Sequence, residues 1–196
     1  MASTIRFTLS DMEDLADGFH IYELIDGEIH VSTQPSWHHQ IVTTRLLTEL
    51  EVWSRHTGLG VTNNTPGVIL SNEDAVAPDV VWVSHERLAR LLREDDRLHG
   101  TPDLAVEVVS PGASNERRDR EAKLKLYSVY GVREYWLVEW QTREVHVYRR
   151  MQGVPQLSLV QTLGEGDMLT SPMLPGFACE LALVFGAASG LPPAAR

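Results

Sequence analysis

Cysteine and lysine are the scarcest chemical groups in this 196-residue chain. There is one cysteine, Cys179, so no internal disulfide can form and a reducing, cytoplasmic setting is expected. The thiol itself reads as a small buried hydrophobe. Of 17 basic residues only two, Lys123 and Lys125, are lysines. Positive charge is short overall: 27 acidic residues leave a formal charge of −10. That argues against a protein that coats nucleic acid non-specifically, because phosphate contact needs a basic surface. A local basic patch can still guide DNA. No run approaches the roughly 20 apolar residues that span a bilayer. The opening MASTIRFTLSDMEDL lacks the basic-then-apolar pattern of a secretory leader. The eight histidines form neither an HxxxH nor a Cys-paired pattern, so no structural zinc is expected.

What is present is globular in kind. Hydrophobic residues make up 43% and charged residues 22%, near the norm for a folded domain. One domain is expected over residues 1–186, with a loose tail over 187–196, where AASGLPPAAR carries two prolines and no periodicity. Ser10 with Glu13 suggests a capping box for a helix over 10–17. Asp26-Gly27 between two apolar runs predicts a β-hairpin. A helix follows from Pro35-Ser36 to Thr57, with Ile41, Val42, Leu46, Leu50 and Trp53 on one face and Gly58 ending it. Strands are expected at 60–70 and 79–83. A short helix at 85–94 turns Leu88, Leu91 and Leu92 inward. The nearly continuous apolar run DLAVEVVS, 103–110, predicts a central strand covered on both faces. A helix at 115–130 and a hairpin of 133–140 with 144–150 follow. This order describes an α/β (α+β) fold, a mixed sheet flanked by helices with additional hairpins.

Polar residues that interrupt apolar context are the candidates for chemistry. Glu107 lies inside Ala105-Val106-Glu107-Val108-Val109, where a carboxylate is costly unless paired, protonated or metal-bound. Asp79 follows Pro78 at the mouth of a strand. In the 115–130 helix, Ala122, Leu126, Val129 and Tyr130 mark the inward face at 100° per residue. Lys123 falls on that arc with Asp119 and Glu116, and Lys125 points to water. Two carboxylates suit a hard cation such as Mg2+, or Mn2+ in its place. A neighbouring lysine can hold the attacking water or offset developing charge. Glu23 shares a strand face with Ile21 and Ile25 and reads equally as an extra acidic group or a hairpin ion pair. His39, on the face of Val42 and Leu46, reads first as a hydrogen-bonded core histidine. Arg87, Arg90, Arg93 and Arg97 read as a solvated face among acidic residues. Arg117, Arg118 and Arg120 flank the proposed site and are the DNA-contact candidates.

Several segments resemble the Uma2 family of restriction endonuclease-like proteins. They are YELIDGEI at 22–29, PD at 78–79, AVEVVSPGAS at 105–114, DREAKLKLY at 119–127, GVREYWLVEW at 131–140 and LTSPMLPGF at 169–177. The resemblance runs in order over about residues 8–186. It implies a PD-(D/E)XK nuclease-like core with Asp79 and Glu107 as metal ligands. The usual lysine, two positions after the glutamate, is Val109 here, and the resemblance places it on Lys123 instead. Where the family carries aspartate after EYW and an aliphatic pair, this chain has Glu139, read as structural. The implied activity is Mg2+-dependent hydrolysis of phosphodiester bonds in DNA. A homodimer would suit cleavage of two strands. The alternatives are a non-enzymatic nucleic-acid- or protein-binding module on the same fold, and a hydrolase of another phosphodiester.

Overall fold

The run LAVEV forms the strand around which the rest is arranged. A computed structural model describes residues 5–32, 34–110 and 118–186. In chain order the elements are α1 (Leu9–Leu15), β1 (Ile21–Ile25), β2 (Glu28–Ser32), α2 (Trp37–Thr57), β3 (Gly60–Asn64), β4 (Val68–Ile69), β5 (Ala75–Val76), β6 (Val80–Ser84), α3 (His85–Leu91), β7 (Leu98–His99) and β8 (Leu104–Val108). A π-helical turn, Arg118–Ala122, leads into α4 (Lys123–Tyr130). Then come β9 (Glu134–Glu139), β10 (Glu144–Arg150), β11 (Leu157–Gly164), β12 (Met168–Thr170), β13 (Ala178–Glu180) and α5 (Leu181–Phe185).

The main sheet has the order β11-β10-β9-β8-β6-β3. β8 runs parallel to β9 and antiparallel to β6. Every β8 residue is buried, as expected for a strand covered twice. On one face Leu104, Val106 and Val108 pack with Val42, Leu46 and Leu50 of α2 and with Trp136. On the other face Ala105 and Val109 join Leu126 and Tyr127 of α4, Tyr135 and Leu137. Side chains alternate along a strand, so Glu107 belongs to this second face. A smaller sheet, β2-β1-β5-β4-β7, contributes Ile25, Val68, Val76 and Leu98 to the same cluster.

Local chemistry explains most boundaries. Asp26 and Gly27 both adopt positive φ, 51° and 72°, as the tight β1–β2 turn requires. Ser36 caps α2 by accepting from the His39 N–H, and Gly58 ends it in the left-handed conformation. Four expectations need correction. The capping box of α1 is Thr8 with Asp11, which bond each other's backbone N–H reciprocally, so the helix starts one residue before Ser10. The single strand expected at 60–70 is two strands in different sheets, because Thr65 takes φ 48° and Pro66-Gly67 follows. Leu92 and Val129 are exposed. The rest of the expected inward face holds: Lys123, Leu126 and Tyr127 are buried as an i, i+3, i+4 set, and Ala122 and Tyr130 pack against the same cluster. No helix among the described residues is long and apolar enough to cross a membrane.

Candidate active site

The site grows from the pairing of β6 with β8. Val80 pairs with Val106 in antiparallel register, and one step further along that register Asp79 lies beside Glu107. The Val109 N–H points to β9, where it bonds the Val138 carbonyl at 2.8 Å. The Val108 N–H therefore points the other way, towards a β6 that has already ended. The Asp79 carboxylate fills that place, with Oδ2 accepting from Val108 N at 2.7 Å. His39 Nε2 lies 3.2 Å from the same oxygen. The His39 ring is buried on α2, and Thr43 Oγ1 donates to the His39 carbonyl at 2.9 Å and lies 3.5 Å from Nδ1.

Glu107 is 3% exposed and Lys123 2%. Lys123 Nζ donates to Glu107 Oε2 at 2.9 Å and lies 2.9 Å from Glu23 Oε1. Tyr127, one turn along α4, donates its hydroxyl to Glu107 Oε1 at 2.7 Å. Burial, then the Glu107 carboxylate, push the Tyr127 phenol well above its usual range, so it stays a donor at neutral pH. Glu23 also accepts from the Ala77 N–H at 3.0 Å, two residues before Asp79. It thereby ties the small sheet to the backbone that delivers Asp79. A lysine between two carboxylates satisfies the rule that buried charges are paired and hydrogen-bonded.

This architecture has relatives. The sequence profile of Uma2, described as "Putative restriction endonuclease", matches residues 9–183. The chain belongs to the Uma2 family. A solved structure from Anabaena variabilis, titled a "putative nuclease belonging to DUF820", superposes with a TM-score of 0.70. At 16% identity it covers 91% of this chain and 97% of its own, so the two share a fold. A comparison with curated proteins finds no match.

In this Uma2 chain, Glu107, Lys123 and Glu23 meet directly, and Asp79 and His39 meet beside them on the Val108 N–H. Of the arginines expected to meet DNA, Arg117 and the side chain of Arg118 lie outside the described residues. Arg120 forms an ion pair with Glu139. Burial works to raise the Glu139 pKa, but hydrogen bonds from His146 and Arg120 outweigh it and hold the group at about 2. Arg87 pairs with Asp103, Arg90 with Glu86 and Arg97 with Glu13. The group missed by sequence reasoning is Tyr127. Its helical spacing from Lys123 signals a shared face, but a tyrosine there reads as core.

Proposed function

We propose that the chain is a divalent-metal-dependent nuclease that hydrolyses phosphodiester bonds of DNA. Asp79 and Glu107 would hold Mg2+, or Mn2+ in its place, and Lys123 would serve the reacting groups. The observation that carries this reading is the buried Lys123–Glu107 contact at 2.9 Å. It joins two elements next to the strand mouth where Asp79 is anchored. The donor set suits a hard cation: among the described residues both polar contacts of the Asp79 side chain fall on Oδ2, leaving Oδ1 for a ligand, and that side chain is 20% exposed. Glu107 is buried with Oε2 on Lys123 and Oε1 on Tyr127, so the opening to water lies on the Asp79 side, and Mg2+ is commonly held by one or two carboxylates with water and phosphate oxygens completing its shell. When bound, such an ion lowers the pKa of a ligated water and stabilises charge on the phosphoryl group.

The chain's own residues divide the remaining work. Tyr127 and Lys123 orient the two oxygens of Glu107. His39 and the Val108 N–H orient Asp79, and Glu23 holds the Lys123 ammonium in place. Lys123 supplies a positive charge to the phosphate as negative charge grows on it. Water attacks phosphorus and gives up a proton to solvent, the P–O bond to the leaving sugar breaks, and the leaving oxygen takes up a proton from solvent.

The alternative is a binding module without catalysis. It draws on the net charge of −10 and on an ammonium that already compensates Glu23 and Glu107. Metal binding separates the two. Wild type should melt higher with Mn2+ and nick plasmid DNA. Asp79→Asn and Glu107→Gln should lose both effects, whereas Lys123→Ala should lose cleavage and keep most of the Mn2+ shift. An unchanged Mn2+ shift in Glu107→Gln would sink the ligand assignment. A wild-type protein that binds Mn2+ and cuts no DNA, single- or double-stranded, would favour the binding module.

A further inference from the structure

The β9–β10 hairpin carries a second group of potential ligands on the sheet face that holds Glu107. Glu139 and Glu144 are direct cross-strand partners, and His146 pairs with Leu137 two residues further along β10. Strand alternation puts all three side chains on one side. One ligand atom from each lies within 4.8 Å of the other two. Glu139 is buried, and Glu144 and His146 are half-buried.

Three features mark this group as cation-seeking. Like charges directly opposite on neighbouring strands repel, yet this chain places two glutamates there. The Glu144 side chain has no hydrogen-bond or ion-pair partner among the described residues, so nothing among them compensates its charge. His146 is oriented from behind: its Nδ1 lies 3.0 Å from Thr162 Oγ1 on β11. That contact fixes the ring and turns Nε2 towards Glu139 Oε1, 2.9 Å away. A ligating histidine held through its other nitrogen is the usual arrangement around protein-bound metals.

We propose that Glu139, Glu144 and His146 form a binding site for a borderline divalent metal such as Zn2+ or Co2+, distinct from the Asp79–Glu107 centre. One imidazole with two carboxylates suits these ions. It suits Mg2+ poorly, since Mg2+ prefers oxygen ligands in octahedral geometry. In the metal-free molecule Arg120 supplies the positive charge at Glu139. A metal ion and the guanidinium compete for that carboxylate, so occupancy of the site and the Arg120–Glu139 ion pair exclude each other.

Cobalt titration tests the site separately from the nuclease reading. Bound Co2+ is counted by equilibrium dialysis, and its d–d absorption reports a nitrogen-containing ligand set. Glu107→Gln should retain one equivalent with that spectrum, and excess Mg2+ should not displace it. His146→Ala and Glu144→Gln, each placed in the Glu107→Gln background, should remove it while far-UV circular dichroism stays unchanged. Arg120→Ala should tighten binding about fivefold or more, the usual scale of coupling between competing ligands. If both His146→Ala and Glu144→Gln leave stoichiometry and spectrum unchanged, the site is wrong. If Arg120→Ala weakens binding, the competition is wrong. A failure of the Asp79–Glu107 assignment would appear elsewhere, as a Glu107→Gln protein that loses no equivalent relative to wild type.

Discussion

Tyr127 donates its hydroxyl to Glu107 Oε1 at 2.7 Å, and both side chains are buried. The bond satisfies one oxygen of a carboxylate whose other oxygen belongs to Lys123. Tyr127→Phe keeps the ring packed on Tyr135, at a centroid distance of 5.2 Å, and deletes only the donor. It should destabilise the protein by about 1–3 kcal/mol, the desolvation cost of a buried acceptor left short of a partner. Denaturant unfolding, read as a lower midpoint at unchanged slope, checks this. A midpoint equal to wild type would mean that Glu107 is satisfied without the phenol.

Lys123 between Glu23 and Glu107 makes the two ends of the ion cluster unequal. Glu107→Gln leaves the Lys123–Glu23 pair balanced and retains an acceptor for Tyr127, so metal-free stability should change by less than about 1 kcal/mol. Lys123→Met leaves two carboxylates buried without their cation, which costs about 3–5 kcal/mol. Adding Glu107→Gln to Lys123→Met should restore part of that loss. A double-mutant cycle measures the coupling, and strict additivity would contradict the shared-cation arrangement.

Asp103 gives the fold a pH dependence on the acid side. Burial pushes its pKa up, but the Ser84 N–H, Arg133 and Arg87 outweigh burial and hold the group below its ordinary value. A carboxyl depressed in the folded state contributes stability that is complete above the unfolded value, about 3.9. That stability is lost as pH falls through the folded value. Asp103→Asn should therefore cost about 1.5–3 kcal/mol at neutral pH, the range for hydrogen bonds to charged groups. The gap from wild type should narrow once pH drops below about 4. A gap independent of pH would show that the ionised carboxylate is not the source.

Cys179 is fully buried, and burial pushes its thiol up to about 12. Native protein should react with a disulfide reagent at about pH 8 only as fast as it unfolds, because the thiolate is the nucleophile. Denatured protein should react at once. Rapid labelling of the native chain would contradict the packed position of β13.

Which residues reach the candidate site was partly legible in the chain. A glutamate inside LAVEV announces itself because an ionised group in a twice-covered strand needs a partner. The helical period around Lys123 shows which way that lysine turns. Both signals are local, carried by repeats of about two and 3.6 residues. The family motifs added the implied role of Asp79 and Glu107 as metal ligands and the placement of the lysine on Lys123.

The bonds that complete the site were not legible. Glu23 and Lys123 are 100 residues apart and meet at 2.9 Å only because β1 joins a sheet that abuts the Ala77–Asp79 backbone. His39 reaches Asp79 because α2 lies against the main sheet, and periodicity alone left it a core residue. Glu139, Glu144 and His146 share no spacing that a metal motif would flag, since strand register, not sequence interval, brings them together. Local periodicity thus determined which side chains turn inward. Strand register and the packing of helix on sheet decided which of them meet, because contacts between distant segments depend on tertiary geometry that no local pattern encodes.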